Sequence, residues 1–139
     1  MKKKMIVLFG RGNIGKTSTL CLLQDLLCGN PLGTQKRDCR KVIEYRNRKV
    51  AIASWGDNGD EARRNVEFFK SHEYDIAVTA ARTRGATQEI ISQYANEAAL
   101  EVQYIKKSYH EGDQTELNRH CAKDIQKAID EYINQLERR

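Results

Sequence analysis

The chain has 139 residues, enough for one domain with a proper core, and residues 1–139 read as a single unit. With 40% hydrophobic and 31% charged residues, the composition excludes a disordered chain, and a net charge of +5 points to anionic ligands. No apolar run reaches the length of a membrane span, and Met1-Lys2-Lys3-Lys4 leads only into a strand-length run. Four scattered cysteines (Cys21, Cys28, Cys39, Cys121) form neither a C-x-x-C pair nor a disulfide framework. The expectation is a cytoplasmic protein with reduced thiols and no membrane contact.

The first predicted strand, residues 5–9, runs directly into Gly10-Arg11-Gly12-Asn13-Ile14-Gly15-Lys16-Thr17 and then Ser18. That spacing is G-x-x-x-x-G-K-[ST], the loop that cradles phosphates between a strand and a helix. Gly10, Gly12 and Gly15 free the backbone for positive φ and let its N–H groups approach phosphate oxygens. The N-terminus of the following helix completes the anion site. Lys16 is expected at an exposed helix start, reaching β- and γ-phosphates, and Thr17 is expected to offer its hydroxyl to Mg²⁺. Gly10, Arg11, Gly12, Asn13, Ile14, Gly15, Lys16, Thr17 and Ser18 are the candidate nucleotide-binding residues, for a nucleoside triphosphate with Mg²⁺.

The first helix spans about 15–28, with Leu20, Leu23 and Leu27 on one face, and Gly29-Asn30-Pro31 stops it. A polar loop over 32–41 carries Lys36, Arg37, Arg40 and Lys41. Strand-like runs at 42–45 and 50–53 flank residues 46–49, a connection so short that the two strands must be antiparallel. Residues 61–70 read as a short helix. The continuous apolar run at 75–81 suits a central strand buried on both faces. A third helix covers 85–98 and a fifth strand 102–105. The last helix starts at Asp113 with Glu116 in a capping-box arrangement. Leu117, Cys121, Ile125, Ala128, Tyr132 and Leu136 then form one stripe to the end.

The order β-α-β-β-α-β-α-β-α is similar to the core of the small P-loop NTPases, in topology over nearly the whole chain and in sequence at residues 10–17. The resemblance implies an α/β, three-layer P-loop NTPase fold: a mainly parallel five-stranded sheet, one antiparallel strand, and helices on both faces. The hairpin of the second and third strands resembles the small GTPases and their ATPase relatives. On that template residues 32–41 lie over the nucleotide. Arg11 to Thr17 also resembles K-G-G-x-G-K-T of the partitioning and septum-site ATPases, whose first lysine crosses a dimer interface to the partner's phosphates. Arg11 stands at that lysine position and Asn13 at the second glycine, so a dimer is one implied arrangement. An arginine there is suited to neutralising transition-state charge.

Enzymes with this loop hold the Mg²⁺ hydration shell with a carboxylate from a neighbouring strand. The third strand ends in Ser54-Trp55-Gly56-Asp57-Asn58-Gly59-Asp60. Asp57 is the first choice for that metal role, through water, and Asp60 the second. Asp57-Asn58-Gly59 also makes a good turn, and Asp60 a good helix N-cap. Ser54 occupies the earlier position where an aspartate would stand. Trp55 is expected either to pack on a nucleotide or substrate, or to anchor the loop. The guanine motif N-K-x-D is absent, which makes ATP the default and leaves GTP open.

The loops at 11, 36–41 and 82–84 are expected at the carboxyl edge of the sheet, where ligands of such folds bind. They suit a second anionic ligand or a protein partner. Arg82 and Arg84 are assigned with Lys16 and Arg11 to the chemistry, whereas residues 46–49 are expected to be a solvated hairpin tip. His72, His110 and His120 are expected in solvent. Three functions remain: Mg²⁺-dependent triphosphate hydrolysis driving a switch, a small kinase passing the γ-phosphate to an anionic or hydroxylated acceptor, and a binding module without turnover.

Overall fold

In the computed structural model, the described residues are 3–12, 14–29, 40–56, 58–83, 85–108 and 110–138. Among them, nine segments take regular structure in the predicted order. They are β1 (Lys4–Phe9), α1 (Lys16–Cys28), β2 (Arg40–Tyr45), β3 (Arg48–Ala53), α2 (Gly59–Lys70), β4 (Ile76–Ala81), α3 (Ala86–Glu97), β5 (Glu101–Lys106) and α4 (Gln114–Glu137). The five strands form one sheet in the order β2-β3-β4-β1-β5. All pairings are parallel except β2 with β3. Leu8 of β1 lies opposite Ala80 of β4 and Ile105 of β5, which aligns the carboxyl ends of the central strands.

Every residue of β4 is buried, as in a strand covered on both faces, and its one polar residue, Thr79, donates its hydroxyl to Ala53 O at 3.2 Å. Its central place puts β4 between β1 and β3, so the strand proposed to supply the metal carboxylate is not the direct neighbour of β1.

Alternation along the strands sends successive side chains into two cores. Ile6 and Leu8 join Leu20, Leu23 and Leu27 of α1 and Ile125, Ile129 and Ile133 of α4 on one face. Met5 and Val7 join Val66 and Phe69 of α2 and Ile91 and Tyr94 of α3 on the other. The helices therefore cover both faces of an α/β sheet. No helix among the described residues is long and apolar enough to cross a membrane.

Element ends follow local chemistry. Gly29, at φ 71°, closes α1 in the left-handed region, while Asn30 and Pro31 lie outside the described residues. Asp113 accepts from the backbone N–H of Thr115 and Glu116 at the start of α4. Two expectations are corrected. The cap of α2 is Asn58, whose Oδ1 accepts from Glu61 N at 2.9 Å; Asp60 stands in the first turn instead, exposed and paired with Arg63 at 3.0 Å. The hairpin turn is only Arg46-Asn47, both at positive φ (51° and 63°), the geometry that matches strand twist. Arg46 is not simply solvated, because its guanidinium reaches Asp130, Asn134 and Glu137 on α4.

Candidate functional site

The 10–17 segment sits where the aligned carboxyl ends of β4, β1 and β5 meet. Gly10 N donates to Ala81 O at 3.1 Å, and Lys107 N donates to Phe9 O at 2.8 Å, so the tips of both neighbouring strands hold the start of the loop. The approach is close: a Cβ on Gly10 would stand 2.5 Å from the Lys107 carbonyl oxygen. Gly15, at φ 91°, turns the chain into α1, a conformation open to glycine at no steric cost. A Cβ there would also stand 2.5 Å from Asn118 Oδ1, so α4 packs directly against the back of the loop. The Thr19 hydroxyl donates to Gly15 O at 2.7 Å and lies 3.4 Å from the same Asn118 oxygen.

Lys16 departs from its expected exposed position. It is 4% exposed, and its Nζ donates to the carbonyls of Gly10 (2.8 Å) and Arg11 (2.6 Å). The ammonium group is therefore folded over the loop, bonded to the backbone that surrounds the expected phosphate position. The α1 start has no side-chain cap and no acidic residue in its first turn. Its positive end is thus left without a side-chain counter-charge from within the helix. Ile14 is buried and Ser18 exposed.

Thr17 Oγ1 donates to the Ser54 carbonyl at 3.3 Å, which brings the end of β3 to the loop even though β4 intervenes in the sheet. Ser54 is wholly buried, and its hydroxyl accepts from Gln24 Nε2 at 3.3 Å. The position opposite Thr17 is accordingly neutral. Among the described residues no group of three His, Cys, Asp or Glu side chains could hold a metal. Asp57, Asn13, Arg84 and the 30–39 part of the polar loop, with Lys36, Arg37 and Cys39, lie outside the described residues. Asp60 is turned to solvent on α2.

Arg82, at the tip of β4, lies against the loop: a Cβ on Gly12 would stand 2.7 Å from its Nη2. Its backbone N–H donates to Thr87 Oγ1 at 2.9 Å, tying the strand tip to the first turn of α3. The loop, Arg82 and the end of β3 are thus brought together as the sequence suggested. A cavity of about 320 Å³ adjoins the loop, lined by Gly10, Arg11, Ile14, Thr83, Lys106, Lys107 and Ser108, with no carboxylate among them. Arg40 does not join the cationic rim as a free charge. It donates to Asn65 Oδ1 (2.9 Å) and Glu61 Oε2 (2.8 Å).

Sequence reasoning missed two residues. Asn118 supports Gly15 from the α4 face; its only signal is that it falls beside Ala122 and Ile125 on the buried stripe. Asn65 is fully buried on α2, where its amide donates to the Trp55 carbonyl and to Thr79 Oγ1. Its signal is a polar residue on a helix face otherwise formed by Ala62, Val66 and Phe69. His72, His110 and His120 are exposed, as expected. Compared with known protein families, curated proteins and solved structures, the chain finds no significant match in any of the three.

Proposed function

We propose that this protein binds a nucleoside triphosphate, ATP by default, with Mg²⁺ at the 10–17 loop, and hydrolyses it as a nucleotide-controlled switch in the manner of the P-loop NTPases. The observation that carries this reading is Lys16, buried with its ammonium on the Gly10 and Arg11 carbonyls. A buried lysine whose Nζ already lies on loop carbonyls, at an uncapped helix start, is suited to exchanging those carbonyls for phosphate oxygens. Thr17, beside the end of β3, fits the metal. Mg²⁺ keeps most of its waters and takes few protein ligands, so one hydroxyl, phosphate oxygens and a water-mediated carboxylate from Asp57 suffice.

A second reading, transfer of the γ-phosphate to an acceptor, draws support from Arg82 against Gly12 and from the exposed Trp55, which follows Ser54 at the Thr17 contact. The neutral Ser54 opposite Thr17 favours slow turnover, with binding without hydrolysis as its limit. The experiment is a thermal-shift panel of ATP, GTP, CTP and deoxynucleoside triphosphates with and without Mg²⁺, followed by phosphate release on those that stabilise. A shift with Mg²⁺-ATP and slow release of phosphate support the switch. Radiolabel passing from ATP to a small acceptor selects the kinase. No shift with any triphosphate overturns the nucleotide reading. Asp57→Asn is expected to abolish Mg²⁺-dependent turnover while sparing metal-free binding.

A further inference from the structure

Two large apolar side chains stand out in solvent among the described residues, Trp55 at 49% and Tyr104 at 45% exposure. Tyr104 is engaged laterally: its ring meets Phe9 edge-on at 6.0 Å and its hydroxyl lies 3.2 Å from Ser92 Oγ. Trp55 has neither an aromatic nor a cation–π partner among the described residues.

The backbone is held at each of residues 54, 55 and 56. The carbonyl of Ser54 accepts from Thr17, and the carbonyl of Trp55 accepts from the buried Asn65. Gly56 packs so closely on the Ala80 carbonyl of β4 that no Cβ fits there. Asn65 is itself fixed by Arg40 and Thr79. The largest side-chain type is therefore exposed on a held segment, one residue from the Thr17 contact, and its neighbour Gly56 packs on Ala80, two residues before Arg82. Exposed apolar area of this size is unfavourable in water, and a rigid ring loses little entropy when a ligand covers it.

We propose that Trp55 is a stacking platform for the heteroaromatic ring of a second ligand, of the nucleoside monophosphate class, bound beside the Thr17 end of the loop with its phosphate toward Arg82. This rests on the nucleotide reading above, which assigns Thr17 to the metal and γ-phosphate end. The base of a triphosphate held there lies beyond its α-phosphate, so a ring on Trp55 belongs to another molecule.

Trp55 is the single tryptophan, so emission excited on the red edge, where the six tyrosines do not absorb, reports this position alone. The wild-type protein is titrated with adenosine, guanosine, cytidine and thymidine monophosphates and with the parent nucleosides. Ribose 5-phosphate is the ring-free control, and each titration is run with and without a non-hydrolysable ATP analogue. Saturable quenching by a ring-bearing monophosphate, absent with ribose 5-phosphate and retained in Lys16→Ala, is the expected result. Trp55→Leu is expected to weaken calorimetric affinity for that monophosphate about 5- to 150-fold, with Trp55→Phe recovering much of it. Equal quenching by a nucleoside keeps the platform and removes the Arg82–phosphate contact from the proposal. Three results overturn it: no quenching by any monophosphate, quenching only by triphosphates and lost in Lys16→Ala, or unchanged affinity in Trp55→Leu. Unchanged triphosphate binding in Lys16→Ala refutes the nucleotide reading separately, because the titrations without triphosphate still test the platform.

Discussion

A methyl group on Gly12 is the smallest change that moves Arg82 without removing its charge. The added Cβ would stand 2.7 Å from Nη2 and 3.1 Å from Cζ, so the guanidinium must retreat by about 0.8 Å or more to reach ordinary contact. Gly12 is not among the positive-φ glycines, so its backbone accepts alanine. The structural cost is that of driving one flexible side chain off its rotamer, about 0.5–1.5 kcal/mol, or a fall in Tm of roughly 2–5 °C. The functional cost is larger if Arg82 meets the transferring phosphoryl group, since misplacement by about 1 Å can cost on the order of 100-fold in rate. Gly12→Ala is therefore expected to cut steady-state phosphate release by about two orders of magnitude. Calorimetric ATP affinity, which the proposal assigns to Lys16 and the loop amides, should fall by less than the rate does. Arg82→Ala should lose at least as much rate. Arg82→Lys should recover only part, because an ammonium lacks the planar fork. Wild-type turnover in Gly12→Ala, or equal losses of affinity and rate, would refute the assignment of Arg82 to the chemistry.

Lys16→Ala should lower ATP affinity roughly 30- to 5,000-fold by calorimetry, the range for truncating one partner of a buried charge pair. Because Nζ also holds the Gly10 and Arg11 carbonyls, the variant should lose about 1–3 kcal/mol of stability in denaturant, and unchanged binding would contradict the reading. Asn65→Ala leaves the Trp55 carbonyl, Thr79 Oγ1 and Arg40 Nε short of a partner, so urea unfolding should show a loss of about 2–4 kcal/mol; a loss under about 1 kcal/mol would show that the network does not hold the turn. Asn47, at φ 63°, should accept glycine with no loss of stability, while Asn47→Val should cost about 1–2 kcal/mol in the same assay, and equal stability of the two would contradict the turn geometry. Cys28 is exposed, whereas burial pushes the Cys121 thiol above its ordinary pKa, with the Lys107 cation opposing. Mass mapping after brief alkylation near pH 8 should find Cys28 modified first and Cys121 gaining as pH rises, since the thiolate is the reactive form; equal rates would contradict that burial.

Local pattern carried much of this protein. The proposed anion site rests on the spacing of residues 10–17 because a glycine loop between a strand and a helix start needs few residues beyond its own to make one. The strand and helix order, and the antiparallel hairpin, follow from period and connection length, which are properties of short segments. Asn58, not the expected Asp60, took the cap because capping depends on which residue the chain delivers to the first N–H groups, and two residues that suit it stand two positions apart.

What the fold alone decided are relations between distant segments. The placement of β4 between β1 and β3 is a choice among sheet orders that the same element string permits, settled by which strand can bury both faces. That order brings Arg82 onto Gly12, and α1's start still reaches the end of β3 through Thr17 and Ser54. Lys16 is buried with its Nζ on the Gly10 and Arg11 carbonyls, so its exposure could not be read from its place at a helix start. The pairing of Asn65 with Trp55 and of Asn118 with Gly15 joins helices to loops 10 and about 100 residues apart, and no periodicity encodes it. A sequence states which faces are apolar and where the chain can turn; which polar side chain meets which backbone group is fixed when those faces pack, because a buried polar group must find its partner in whatever the packing brings within reach.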